Sequence, residues 1–382
     1  MLFPLHPLDA YRADVALRPE GVSNRDDPKW IAIALATFRA GEGLRTDLTG
    51  VVAGLADWLS ERGVDPGTVP LQAVQVEIEE MEEDGLLHLA RTTCVSARRL
   101  ADVPLIAGRL IAIEARLAWK AGDLNTAEAL YGELRRAGRA ASLAELGIRA
   151  AIGLGVVAQL RGNYPDVRTR ARSALVSAER HGLAELAAIA HQLLMRAAVA
   201  GEDFSQAVIH GWLAFTNAAG DALREAEMLL NLSQLLHEIG RPSAAREGFL
   251  AVLDRSPPDR LRLPALGGWA SAAVRLDRRD EVRDATRSLM DASSTSRLPY
   301  HVASALLEAW RAALEIDDNE IAEKTHTIAS HLANTHGFHE LRFRLAAERP
   351  NRMRRVTLAS AAEEFVTGVE HLRGRTLVAH AS

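Results

Sequence analysis

The 382-residue chain is 48% hydrophobic and 25% charged, a balance that buries a core and excludes a disordered polymer. Its formal net charge of -5 argues against a general nucleic-acid binder, which needs a basic surface. The single cysteine, Cys94, excludes an intrachain disulfide and cysteine-rich zinc sites. No run of about 18 apolar residues offers a membrane-spanning helix.

At the N-terminus, Met1 to Pro7 lacks a basic region and an unbroken apolar core, and Asp9, Arg12 and Asp14 follow closely. No signal peptide is expected, and the location is read as cytoplasmic. Lysines stand only at Lys29, Lys120 and Lys324, with arginine used elsewhere; that is the usage of a GC-rich bacterial genome. Residues 1–28 read as an N-terminal arm. Residues 29–66 read as a helical hairpin. Trp30, Ile31, Ile33, Leu35 and Phe38 mark its first helix, Gly41 and Gly43 end it, and Asp65-Pro66-Gly67 stops the second.

From residue 71 the chain becomes periodic. The stretch Gly122-Asp123-Leu124-Asn125-Thr126-Ala127 is a turn between helices. Gly122 closes one helix in the left-handed conformation, and Asn125 or Thr126 begins the next. Equivalents of Ala127 stand at Ala90, Val167, Ala207, Ala245, Val282 and Ala322, spaced by 37 to 40 residues. Nine residues before each lie Met81, Ala118, Ala158, Ala198, Leu236, Ala273 and Ala313. Seven residues after lie Ala97, Leu134, Ala174, Ala214, Val252, Leu289 and Ala329. All are apolar. Five residues before each reference stands a turn former: Gly85, Gly122, Gly162, Glu202, Gly240, Asp277 or Asp317. A two-helix unit at this period is the mark of a solenoid.

The register resembles the tetratricopeptide-repeat family in a long-repeat form. Leu154-Gly155 with Ala158 and Val167, and Gly122, Ala127, Tyr131 and Leu134, carry the match. Units here exceed the family's period of about 34 residues, and the family's terminal-helix proline is mostly missing. The resemblance covers residues 71–335. It implies an all-α, right-handed α-solenoid superhelix of about seven hairpins, with helical caps at both ends. Residues 336–382 read as the C-terminal cap and tail, two helices broken near Pro350. Two connections, Asp254 to Asp259 and Asp291 to Ser296, read as exposed loops.

No catalytic signature stands in the chain: no P-loop, dinucleotide fingerprint, HExxH or GxSxG. The protein is read as a non-enzyme with no cofactor and no metal. Cys94 reads as a buried structural thiol. His326, His331, His336 and His339 crowd the last hairpin, and a metal-dependent enzyme built on them is an alternative. Glu77 to Asp84 is acidic, and Arg342 to Arg355 is basic. These stretches are solvated faces or a means of pairing copies end to end.

In the resembled family, the first helix of each pair lines a concave groove through its second, fifth, ninth, twelfth and thirteenth positions. Carried onto this register, those positions hold Arg116, Trp119, Lys120, Gln159, Gln192, Arg196, Gln234, His237 and Arg311. Long donors flanking apolar surface suit an extended peptide, including one with acidic groups. The leading reading is therefore a scaffold that holds a protein or peptide in its groove. The alternative is a signal-responsive bacterial regulator resembling peptide-pheromone receptors and acting through a protein partner.

Overall fold

The hairpins share a three-residue turn in which a left-handed residue is followed by one whose N–H closes the first helix and whose side chain, where it is Asp or Asn, caps the second. The computed structural model describes residues 87–99, 101, 103–296, 298–346 and 356–373, with the isolated positions Gln75, Ile78, Glu79, Met81 and Glu82. The arm and hairpin expected over 1–66 lie outside the described residues. Among the described residues every regular element is a helix. They fall into two compact units, divided between Arg161 and Gly162.

In the first unit, α1 (Leu87–Arg99), α2 (Pro104–Lys120), α3 (Leu124–Ala140) and α4 (Ala144–Leu160) pack in chain order. The second unit holds α5 (Tyr164–Arg180), α6 (Ala184–Ala200), α7 (Phe204–Asn217), α8 (Ala222–Glu238), α9 (Pro242–Leu253), α10 (Asp259–Arg275), α11 (Arg279–Ser293), α12 (Pro299–Glu315), α13 (Asn319–Thr335), α14 (His339–Ala346) and α15 (Ser360–Glu370). Within each unit successive helices pack on one another, and first helices such as α10 and α12 also pack side by side. This is an all-α solenoid.

The turn shows why the period is legible. After α2, Gly122 takes φ +87°. The N–H of Asp123 then reaches back to the Ala118 carbonyl at 2.9 Å, the bond that closes a helix end. The Asp123 carboxylate accepts from the Thr126 N–H at 3.1 Å and caps α3. The helix therefore starts earlier than Asn125 or Thr126, because the capping oxygen precedes them. Gly162, Glu202, Gly240, Asp277 and Asp317 repeat the positive φ. Asn163, Asp203 and Asp318 repeat the cap.

The three apolar columns form the helix contacts. Every member is buried except Ala198, which is half-buried. Small side chains let the helices approach. A Cβ at Gly153 would lie 2.1 Å from the Tyr131 ring, and one at Gly268 would lie 2.4 Å from Phe249. Of the two expected loops, the first runs over 254–258. The second begins later than expected, since Asp291 and the buried Ala292 belong to the last turn of α11.

The C-terminal segment departs from a two-helix end cap. Helix α14 packs on α12 and α13, burying Leu341 and Leu345. Helix α15 instead returns to the middle of the unit and packs on the second helices α7 and α9. Leu358, Ala362, Val366 and Val369 are buried there, and Phe365 stacks on Trp212 with ring centres 5.7 Å apart. Glu363 pairs with Arg241, Arg373 with Asp254 at 2.8 Å, and the Ala359 N–H donates to the Ser205 hydroxyl at 2.9 Å.

Two outcomes follow from this packing. Gly153→Ala forces the Tyr131 ring to move and should destabilise the first unit by about 1–3 kcal/mol in denaturant unfolding. Replacing Glu202 by glycine removes a side chain from a left-handed residue and should stabilise by about 1 kcal/mol. A third outcome concerns pH. Burial opposes charge on Glu281, yet bonds from Arg246, Trp269 and Arg278 hold its carboxyl down to about 2. A lowered carboxylate stabilises the fold above its unfolded value of 4.5 and loses that stability as pH falls toward 2. Thermal stability should therefore fall more between pH 6 and pH 3 in the native chain than in Glu281→Gln, by about 1–2 kcal/mol after allowance for solvent screening.

Candidate functional site

Several arginines bridge neighbouring hairpins. Arg109 grips Glu145 through two bonds of 3.0 and 3.1 Å. Arg246 grips Glu281 at 2.6 and 2.8 Å. Arg161 reaches Glu128 at 2.6 Å, Arg224 reaches Glu185 at 3.2 Å, and Arg283 reaches Asp318 at 3.0 Å. Partners lie 33 to 40 residues apart in these pairs and in Arg275–Glu315, one repeat along the chain. The planar fork of arginine suits such two-point contacts.

Two of the residues expected at the groove, both on α2, are paired within the chain. In the first unit, Arg116 binds Glu82 at 2.7 Å and Glu79 at 3.4 Å. Lys120 binds Glu82 at 2.5 Å. Burial opposes charge on Glu82, but the two cations outweigh it and lower its pKa. Trp119 turns inward, packing on the α2–α3 core and sharing a hydrogen bond with Tyr131. Gln159 on α4 and Gln192 on α6 are half-buried. Arg196 is exposed on α6, with Asn231 at 3.4 Å.

Gln234, His237 and Arg311 come together. They line one cavity of about 780 Å³ within the second unit. Its walls are the first helices α8, α10 and α12, contributed largely at the positions the register marks. Pro264 and Ser304 hold second positions, Gly267 a fifth, Gln234, Ser271 and Arg311 ninth, and His237 and Val274 twelfth. Glu238, Arg275 and Glu315 occupy the thirteenth. Val199, Phe204, Ile239 and Phe249 add apolar surface, and Gly268 leaves room for the Phe249 ring.

The polar groups here differ in their engagement. Arg275 donates to Glu315 at 2.9 Å. Arg344 donates to Glu308 at 2.8 Å. Arg311 lies 3.5 Å from the same Glu308 carboxylate and 3.4 Å from the Arg344 carbonyl. The His237 Nδ1 is buried without a hydrogen-bond partner. Burial, helped by the Arg275 charge, lowers the His237 pKa to about 4, so the ring is neutral at pH 7. Gln234 and Glu238 are exposed to the cavity water. Glu238 was missed as a site residue, although it holds the register position that Lys120 holds in the second hairpin.

The other candidate chemistry disperses. His326 packs on Trp310 at 4.8 Å and His336 stacks on Phe338 at 5.5 Å. Among the described residues, no three His, Cys, Asp or Glu side chains converge as a metal site would need. Cys94 is buried, its thiol donating to the Leu110 carbonyl at 3.2 Å. Burial and the nearby Glu114 charge push its pKa up to about 12, which disfavours the reactive thiolate. Among the described residues no helix is long and apolar enough to cross a membrane.

A structural role for Arg116 and an open role for Gln234 separate by mutation. Arg116→Ala strips Glu82 of one cation and should cost about 1–2 kcal/mol, less than a fully buried pair because the arginine is partly exposed. Gln234→Ala should stay within about 0.5 kcal/mol, both read by denaturant unfolding. No known family model matches the chain, and no curated protein matches it.

Proposed function

We propose that the protein is a non-enzymatic interaction scaffold of tetratricopeptide-like design, taking an extended peptide segment of a partner protein into the cavity on α8, α10 and α12. One observation carries the reading: three of the residues assigned to the groove by periodicity, Gln234, His237 and Arg311, line a single cavity of about 780 Å³. A volume of this order accepts several residues of extended chain. Its walls pair apolar surface for side chains with neutral donors and acceptors for a peptide backbone. Gln234, Ser271 and Ser304 supply those groups, beside the neutral ring of His237.

The lone, buried Cys94 and the arginine-rich composition support a scaffold working in a bacterial cytoplasm. The test is a dodecapeptide display selection on the native chain, followed by binding measurements on Ser271→Trp, which fills the cavity. Selected peptides should lose at least tenfold in affinity for the variant while helicity by circular dichroism stays unchanged. Equal binding by Ser271→Trp, or no selected peptide, would overturn the assignment.

A further inference from the structure

We propose that the segment held in this cavity carries a positively charged side chain, which pairs with Glu238. The inference rests on the scaffold reading above and names its ligand's charge. It also reverses the expectation of an acidic ligand, which depended on free arginines.

The cavity wall carries three arginines, Arg275, Arg311 and Arg344, against four glutamates, Glu202, Glu238, Glu308 and Glu315. All three arginines are engaged, Arg275 by Glu315 and the other two by Glu308. An acidic ligand must therefore break an existing pair to find a cation. Along the thirteenth positions of α8, α10 and α12 stand Glu238, Arg275 and Glu315, and the single cation turns to Glu315. Glu238 keeps no cationic partner among the described residues, and although its surface is open to the cavity, partial desolvation by the surrounding walls raises its pKa. A carboxylate in this state gains from a ligand cation an attraction that offsets its partial desolvation. The neighbouring His237 is neutral and does not compete for the role.

Glu238 is also the last residue of α8, at the negative end of the helix dipole, where an acidic side chain is unfavourable. Its charge sits where folding alone would not choose it, as expected of a residue kept for a ligand.

The experiment uses three fluorescein-labelled dodecapeptide pools on the full chain. Each has randomised uncharged residues around a central pair of lysines, alanines or glutamates. By fluorescence anisotropy the lysine pool should bind about tenfold tighter than the alanine pool, and the glutamate pool more weakly than either. The lysine advantage should shrink on raising salt. Glu238→Gln should bring the lysine pool to within about twofold of the alanine pool while raising the melting temperature, which shows that the variant folds. A glutamate pool binding as tightly as the lysine pool, or a lysine advantage intact in Glu238→Gln, overturns the charge assignment. In either case the scaffold reading stands if Ser271→Trp still blocks binding. No binding by any pool to folded protein overturns both.

Discussion

The structure depends on a backbone constraint repeated at almost every helix end: a residue in the left-handed conformation followed by one whose N–H reaches back to close the helix. Asp123, Asp203, Arg241, Arg278 and Asp318 make that bond to Ala118, Ala198, Leu236, Ala273 and Ala313. The carbonyls they use belong to the apolar column that stands nine residues before Ala127 and its equivalents. The turn thus couples two requirements. The same residue that packs in the core also terminates its helix, so the hairpin angle and the core register cannot drift independently. Where the next side chain is Asp or Asn, it caps the following helix as well. A turn of three residues leaves little freedom in how consecutive helices meet.

Given such turns, interhelix distance is set by side-chain volume. Alanine dominates the columns, and Gly153 and Gly268 give the Tyr131 and Phe249 rings the space that a Cβ would occupy. Close packing of small residues buries limited apolar area per contact. Arginine–carboxylate bridges between successive hairpins supplement it, as at Arg109–Glu145 and Arg246–Glu281. Two-point geometry fixes the stagger of adjacent hairpins where smooth alanine faces would otherwise slide.

The fold was legible because its signals are local and repeated. A left-handed residue selects glycine or a small polar side chain, a cap selects aspartate or asparagine, and each recurs at one period. The destination of α15 was not legible. Its amphipathic face, with Ala362, Val366 and Val369, declares that it packs but not on what. The mate it finds, Trp212 on α7, lies far away in the chain and outside the repeat pattern. The site was half legible for a related reason. Periodicity told which positions face the same way, and Gln234, His237 and Arg311 do share a cavity. It could not tell which arginines were already held, because each partner lies one repeat away and charge pairing leaves no periodic mark of its own.

Several arginines are occupied by the bridges that hold the hairpins in stagger, so a count of basic residues along a helix face overstates what a ligand would meet. In the proposed scaffold, recognition falls to groups that the bridges leave over. On α8 these are Gln234, His237 and Glu238, consecutive groove positions of one helix. Two are neutral and one is an unpaired carboxylate. On the proposed reading the first pair would orient a backbone, because amide and imidazole bond to polar groups whatever the ligand's charge. The carboxylate would discriminate, because charge is the property that the pairs along the rest of the wall have largely cancelled.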